Sequence, residues 1–135
     1  RESIEVVRAR ATELMSKMGI EDIKDRDIRE VSGGQLQRAA ICRAMINSPE
    51  ILFMDEPTGA LNSEAASQVM EILKKLNQEG ISIMLVTHDA KMASMAKKVI
   101  YIKDGKLAGE IKLSNEKEAL AEIDLWLRGQ TSLIC

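Results

Sequence analysis

Residues 51–89 read ILFMDEPTGALNSEAASQVMEILKKLNQEGISIMLVTHD, and this stretch decides the fold. Ile51-Leu52-Phe53-Met54 is an unbroken apolar run of strand length, bounded by charge. Such a run suits a parallel strand buried on both faces. After Asn62 and Ser63, the residues Ala65, Val69, Ile72, Leu73 and Leu76 recur at helical spacing, and the pattern ends near Gly80. Ile81 to Thr87 is a second apolar strand. The three segments form one β-α-β unit, whose crossover is expected to be right-handed and whose strands are expected to be parallel.

Upstream of this unit, a helix is predicted from about Gly34 to Ile46, stopping before Pro49. It is preceded by a charged loop from Glu21 to Glu30. A first helix over residues 3–18 carries Ile4, Val7, Ala11, Leu14, Met15 and Met18 on one face, with Gly19 as its stop. Downstream, a short helix around Ala90 to Ala96 leads to a strand at Val99 to Ile102. Asp104-Gly105 then turns the chain into Leu107 to Ile111 as a hairpin. The tail offers a capping-box start at Asn115 with Glu118, and a last helix with Leu120, Ile123 and Leu127. The expected organisation is a helical portion at 1–47, a core at 48–113 and a helical tail at 114–135.

Composition narrows the function classes. The chain has 135 residues and a net charge of −2, which gives no electrostatic footprint for nucleic acid. No apolar run approaches the roughly 20 residues that span a bilayer, and nothing at the start resembles a signal peptide. Any membrane connection is therefore expected to run through a partner. Arg1 in place of methionine suggests a stretch from inside a longer reading frame, or one left by cleavage. Cys42 and Cys135 lie far apart, without companions at metal-ligand spacing, and fit a reducing compartment such as the cytoplasm.

Three places carry chemistry. In Val31-Ser32-Gly33-Gly34-Gln35-Leu36-Gln37-Arg38, Ser32 and Gln35 form a capping box at a helix mouth. The two glycines let backbone N–H groups approach an anion, and the helix dipole favours negative charge there. Taken alone, the same pattern is also a capped helix with no ligand. Asp55-Glu56 stands at the carboxyl end of the buried strand, where open α/β sheets bind ligands. There Asp55 is placed to hold Mg²⁺ through water, and Glu56 to polarise an attacking water. His88, the only histidine, follows the neighbouring strand and should emerge on the same rim, where an imidazole can hydrogen-bond a γ-phosphate and sense its loss.

Together these motifs resemble the ATPase subunits of ABC transporters. Val31 to Gln35 resembles the family's signature, Ile51 to Pro57 its Walker B strand with a catalytic glutamate, Gly59-Ala60-Leu61-Asn62 its D-loop, and Val86-Thr87-His88-Asp89 its switch-histidine loop. Val99 to Glu110 looks like the closing strand and hairpin. The implied fold is α/β: the C-terminal part of a P-loop NTPase, with a helical signature segment and a mostly parallel sheet ending in a hairpin. The implied cofactors are ATP and Mg²⁺. Ser32, Gly33, Gly34, Gln35 and Asn62 would bind nucleotide, Asp55 the metal, and Glu56 and His88 would be catalytic. Of these, Ser32, Gly34 and Gln35 would meet ATP held by the opposite subunit of a head-to-tail dimer. Asn62 replaces the usual D-loop aspartate with an uncharged acceptor.

The run Asp-Glu-Pro-Thr-Gly-Ala-Leu resembles the branch serving macrolide, antimicrobial-peptide and lipoprotein transport. That resemblance implies a transmembrane permease as partner, an exporter's role and a place on the cytoplasmic face of the membrane. A non-transport ABC ATPase of DNA repair or translation, and a non-catalytic interaction module, are the alternatives.

A phosphate loop of the form G-x-x-x-x-G-K-[ST] is absent from these residues. The sole Gly-Lys step is Gly105-Lys106, with Ile100 at the first glycine position and Leu107 where Ser or Thr belongs. The chain alone is therefore expected neither to bind ATP tightly nor to hydrolyse it. By the same resemblance, the missing loop-bearing strand belongs between the strand at 81–87 and that at 99–102. The two edges left unpaired are expected to pair with each other or with a second copy.

Overall fold

The computed structural model describes residues 2–113, 116–128 and 132–134. The chain divides into two compact units, Arg1–Leu52 with Thr58–Ser82, and Phe53–Pro57 with Ile83–Cys135.

The first unit is helical. Helix α1, Ile4–Lys17, starts at Ser3, whose hydroxyl accepts from the Val6 amide, and ends before Gly19 at a φ of 64°. Helix α2, Gly33–Met45, starts at Ser32. Helix α3, Ser63–Gln78, starts at Asn62. Helix α2 packs against both α1 and α3. The predicted apolar face of α3 turns inward at Val69, Leu73 and Leu76, all buried. Each such side chain contributes about 1.5–3 kcal/mol relative to exposure. The α1 stripe buries only at its C-terminal end: Met18 is buried, whereas Ile4 stays exposed. Closeness is extreme at Gly34, where an added Cβ would stand 2.9 Å from the Ala65 Cβ.

The second unit holds the sheet. The strands are β1 (Ile51–Asp55) and β2 (Ser82–Thr87), whose first residues belong to the helical unit, and β3 (Lys98–Lys103), β4 (Lys106–Lys112) and β5 (Ser132–Ile134). They lie in the order β1-β2-β5-β3-β4. Two hydrogen bonds, from the Ser82 amide to the Glu50 carbonyl and from the Glu56 amide to the Val86 carbonyl, run in the same sense along both chains. That makes β1 and β2 parallel, as the β-α-β reading required. Strands β3 and β4 form the expected antiparallel hairpin, with Asp104 and Gly105 both at positive φ, 50° and 72°. This is the backbone that a two-residue turn needs to match strand twist.

Between β2 and β3 runs β5, antiparallel to both. The expected α/β class holds, but the tail makes the sheet more antiparallel than the motifs implied. It also closes the gap that was expected to draw β2 and β3 together or recruit a second copy. The sequence offered no pattern for this, because a three-residue strand has no periodicity to read.

Helices α4 (Ala90–Ala93) and α5 (Glu116–Leu127) pack together in this unit. Its core gathers Ala93, Val99, Tyr101, Ala119 and Ile123. The expected capping box at Asn115 and Glu118 lies outside the described residues. The expectation that β1 is buried on both faces is corrected: Leu52 is buried, but Phe53 is 67% exposed, and on β2 Met84 is 40% exposed beside buried Leu85. A continuous apolar run fixes which residues can be covered. It does not by itself supply the cover.

Candidate functional site: a carboxylate and an imidazole at the strand ends

Strand β1 ends at Asp55, and Glu56 follows with a φ of 44°. That left-handed turn is uncommon for a residue with a long side chain. From there the Glu56 carboxylate reaches Thr87, the last residue of β2, and His88 after it. Its Oε1 accepts from the His88 amide at 3.0 Å and lies 2.5 Å from the His88 Nδ1. Its Oε2 accepts from the Thr87 hydroxyl at 3.4 Å. An ionised carboxylate can only accept, so this contact assigns the proton to Nδ1. In the neutral ring Nε2 then presents a lone pair. The imidazole is 76% exposed, so Nε2 is accessible to a ligand.

Thr87 is the hinge of this arrangement, and the motif reading gave it no separate role. It is 1% exposed, and its hydroxyl oxygen also accepts from the Asp89 amide at 3.0 Å. Asp89 in turn caps α4 by accepting from the Lys91 and Met92 amides. The signal in the sequence was a hydroxyl residue immediately before a His-Asp pair, a combination that favours local side-chain-to-backbone bonds.

Asp55 is exposed and makes no hydrogen bond or ion pair among the described residues. Among those residues no cluster of three or more His, Cys, Asp or Glu side chains could enclose a metal. A lone free carboxylate suits Mg²⁺, which keeps most of its waters and draws other ligands from substrate phosphates.

The other candidate residues belong to the helical unit. The capping box at Ser32 is complete: the Gln35 amide donates to the Ser32 hydroxyl at 3.2 Å, and the Ser32 amide donates to the Gln35 side-chain oxygen at 3.0 Å. The first intrahelical bond runs from the Leu36 amide to the Ser32 carbonyl. The Gly33 and Gly34 amides are thus the donors without an acceptor among the described residues, and they open at the positive end of a helix of 13 residues. Gly34 has a second duty, since only hydrogen fits where α2 meets Ala65. Asn62 caps α3, its side-chain oxygen accepting from the Ala65 amide at 2.8 Å.

Similarity to known proteins points to the same family as the motifs. The ABC transporter family profile matches residues 2–59. The macrolide export ATP-binding/permease protein MacB of Campylobacter jejuni is 46% identical over 110 residues, 82% of this chain and 17% of that protein. The ABC transporter ATP-binding protein YxdL of Bacillus subtilis is 42% identical over 123 residues, 90% of this chain and 48% of its own. An ATP-binding cassette solved as a dimer in a post-hydrolysis state with ADP and Pi superposes with a TM-score of 0.74 at 39% identity, covering 85% of this chain and 50% of that one. The chain thus spans half or less of the length of these relatives. With the motifs, the strand-end pair and these similarities in agreement, the chain belongs to the ABC transporter ATPase family.

Proposed function

We propose that this chain is the signature-bearing and catalytic portion of a transporter's nucleotide-binding subunit, which hydrolyses ATP to drive export across a membrane. The carrying observation is the Glu56 carboxylate held by His88 and Thr87 at the ends of two parallel strands. When bound, ATP supplies the phosphoanhydride to be cleaved, and Mg²⁺ supplies charge neutralisation. Asp55 would hold the metal. Glu56 orients and polarises the attacking water, a role that contributes about 10²- to 10⁴-fold.

To donate to a phosphoryl oxygen, His88 needs a proton on Nε2, which the doubly protonated ring carries while its Nδ1–H stays on Glu56. Gly33 and Gly34 offer amides, and Ser32 and Gln35 the side chains of the capping box, to the nucleotide of a partner subunit in a head-to-tail dimer, with Asn62 in the loop before α3, whose Leu61 and Ala65 flank the two glycines. The dimeric state of the solved cassette supports that arrangement. The name of the macrolide relative, which joins ATP-binding and permease functions, supports a permease partner and a position on the cytoplasmic face. No helix among the described residues is long and apolar enough to cross a membrane.

The phosphate loop is not among these residues, so the 135-residue chain is proposed to be inactive alone. The test compares this chain with the longer protein encoded by its reading frame, assayed for Mg²⁺-dependent ATP hydrolysis. The expected result is turnover only in the longer protein, reduced about 10²- to 10⁴-fold by Glu56→Gln. A reading frame without a GK[ST] loop would refute the ATPase reading. Turnover by the 135-residue chain would refute its inactivity.

A further inference from the structure

We propose that the C-terminal strand β5 is a detachable plug in the sheet, supplied by the chain's own tail, and that its pairing with β2 positions the Glu56–His88 pair. Strand β5 has three residues, and its neighbours β2 and β3 have six each. Ile134 and Leu133 pair with Val86 and Thr87 on one side. Ile134, Leu133 and Ser132 pair with Ile100, Tyr101 and Ile102 on the other. Among the described residues, Ser82 to Leu85 have no ladder partner on the β5 side. Among the described residues, the slot is thus longer than the strand within it. A short strand held by a few backbone bonds is the kind of element that opens well below the global unfolding free energy. The edges it leaves accept extended segments.

The two residues that β5 fixes on β2 are those that build the site. The Val86 carbonyl accepts from the Glu56 amide at 2.9 Å. The Thr87 hydroxyl reaches Glu56, and the next residue, His88, binds the same carboxylate twice. With β5 in place, the end of β2 is flanked on both edges, by Glu56 bonded to the Val86 carbonyl on one and by β5 in register with Val86 and Thr87 on the other. With β5 out, one edge is free, and the backbone that aims Thr87 and His88 gains freedom. In calling that pair a site, the proposal rests on the reading above. The strand pairing does not, and the experiment below contains no nucleotide, so the two can fail separately.

The test uses NMR on the full 135-residue chain, on a chain ending at Arg128, and on the shortened chain with a synthetic peptide of residues 129–135. Its single histidine gives one set of ring resonances. In the shortened chain the Ile100 and Ile102 amides should exchange roughly tenfold faster or more, as expected for the loss of a few backbone bonds. The His88 ring signals should shift or broaden, and the peptide should restore both in a saturable way. Should the shortened chain not fold, full-length Leu133→Pro takes its place, because proline cannot serve a central strand. The expected result is then the same local loss within an otherwise dispersed spectrum. Unchanged exchange and an unchanged His88 signal in the variant used would overturn the proposal. So would failure of the peptide to restore them, or protection that rises with protein concentration alongside a dimer, which would assign the plug to a second copy.

Discussion

At the scale of single residues, Gly34 shows how one position can answer to two demands. The sequence suggested an anion site, and the geometry adds a packing limit, with Ala65 2.9 Å from where a Cβ would lie. Gly34→Ala should therefore destabilise the chain by about 1–3 kcal/mol, the range for overpacking, in urea unfolding. Gly33, whose added Cβ would meet only Leu61 at 3.5 Å, should tolerate alanine better. Asp27 offers a different check. Hydrogen bonds from the Arg29 side chain, and then from the Arg29 backbone, hold its carboxyl down to about 2. A depressed folded-state value means that this interaction favours the fold above the ordinary carboxylate range and is lost as pH falls through about 2. A carboxyl NMR titration should find its midpoint there, and Arg29→Gln should move it upward.

At the scale of elements, much of the fold was legible. The apolar runs at 51–54 and 81–87 became neighbouring parallel strands, and Asp104-Gly105 became the hairpin turn. These succeed because periodicity and turn chemistry are local properties of the chain. Strand β5 was not legible, because its place is set by β2 and β3 rather than by its own composition. Nor was the part played by Thr87, which depends on a long-range approach to Glu56. Asn62 illustrates local logic well: the residue read as part of a nucleotide-facing loop is also the cap of α3. Asn62→Ala should cost about 1 kcal/mol of stability, while Asn62→Asp should cost little, since either side chain accepts the Ala65 amide. Thermal unfolding of the two variants separates capping from any role toward nucleotide.

At the scale of the whole molecule, the approach of Glu56 to His88 was visible in sequence, since both stand at the carboxyl ends of adjoining parallel strands. The exposure of Phe53 and Met84 was not. A run of apolar side chains signals the intent to be covered, and the chain spans about half the length of the Bacillus subtilis relative. An aromatic ring 67% exposed on a sheet face favours association. Phe53→Lys should lower the tendency of the isolated chain to aggregate, as measured by light scattering against concentration, without loss of helical signal.

The φ of 44° at Glu56 has one more consequence. A left-handed backbone at a non-glycine residue costs of order 1–3 kcal/mol and is kept only where something else demands it. Relaxing it with Glu56→Gly should raise the melting temperature, even as the carboxylate that engages His88 disappears. If so, the protein carries a small, permanent handicap in robustness at the position whose carboxylate meets His88, a trade between durability and the placing of one side chain made at a single peptide unit.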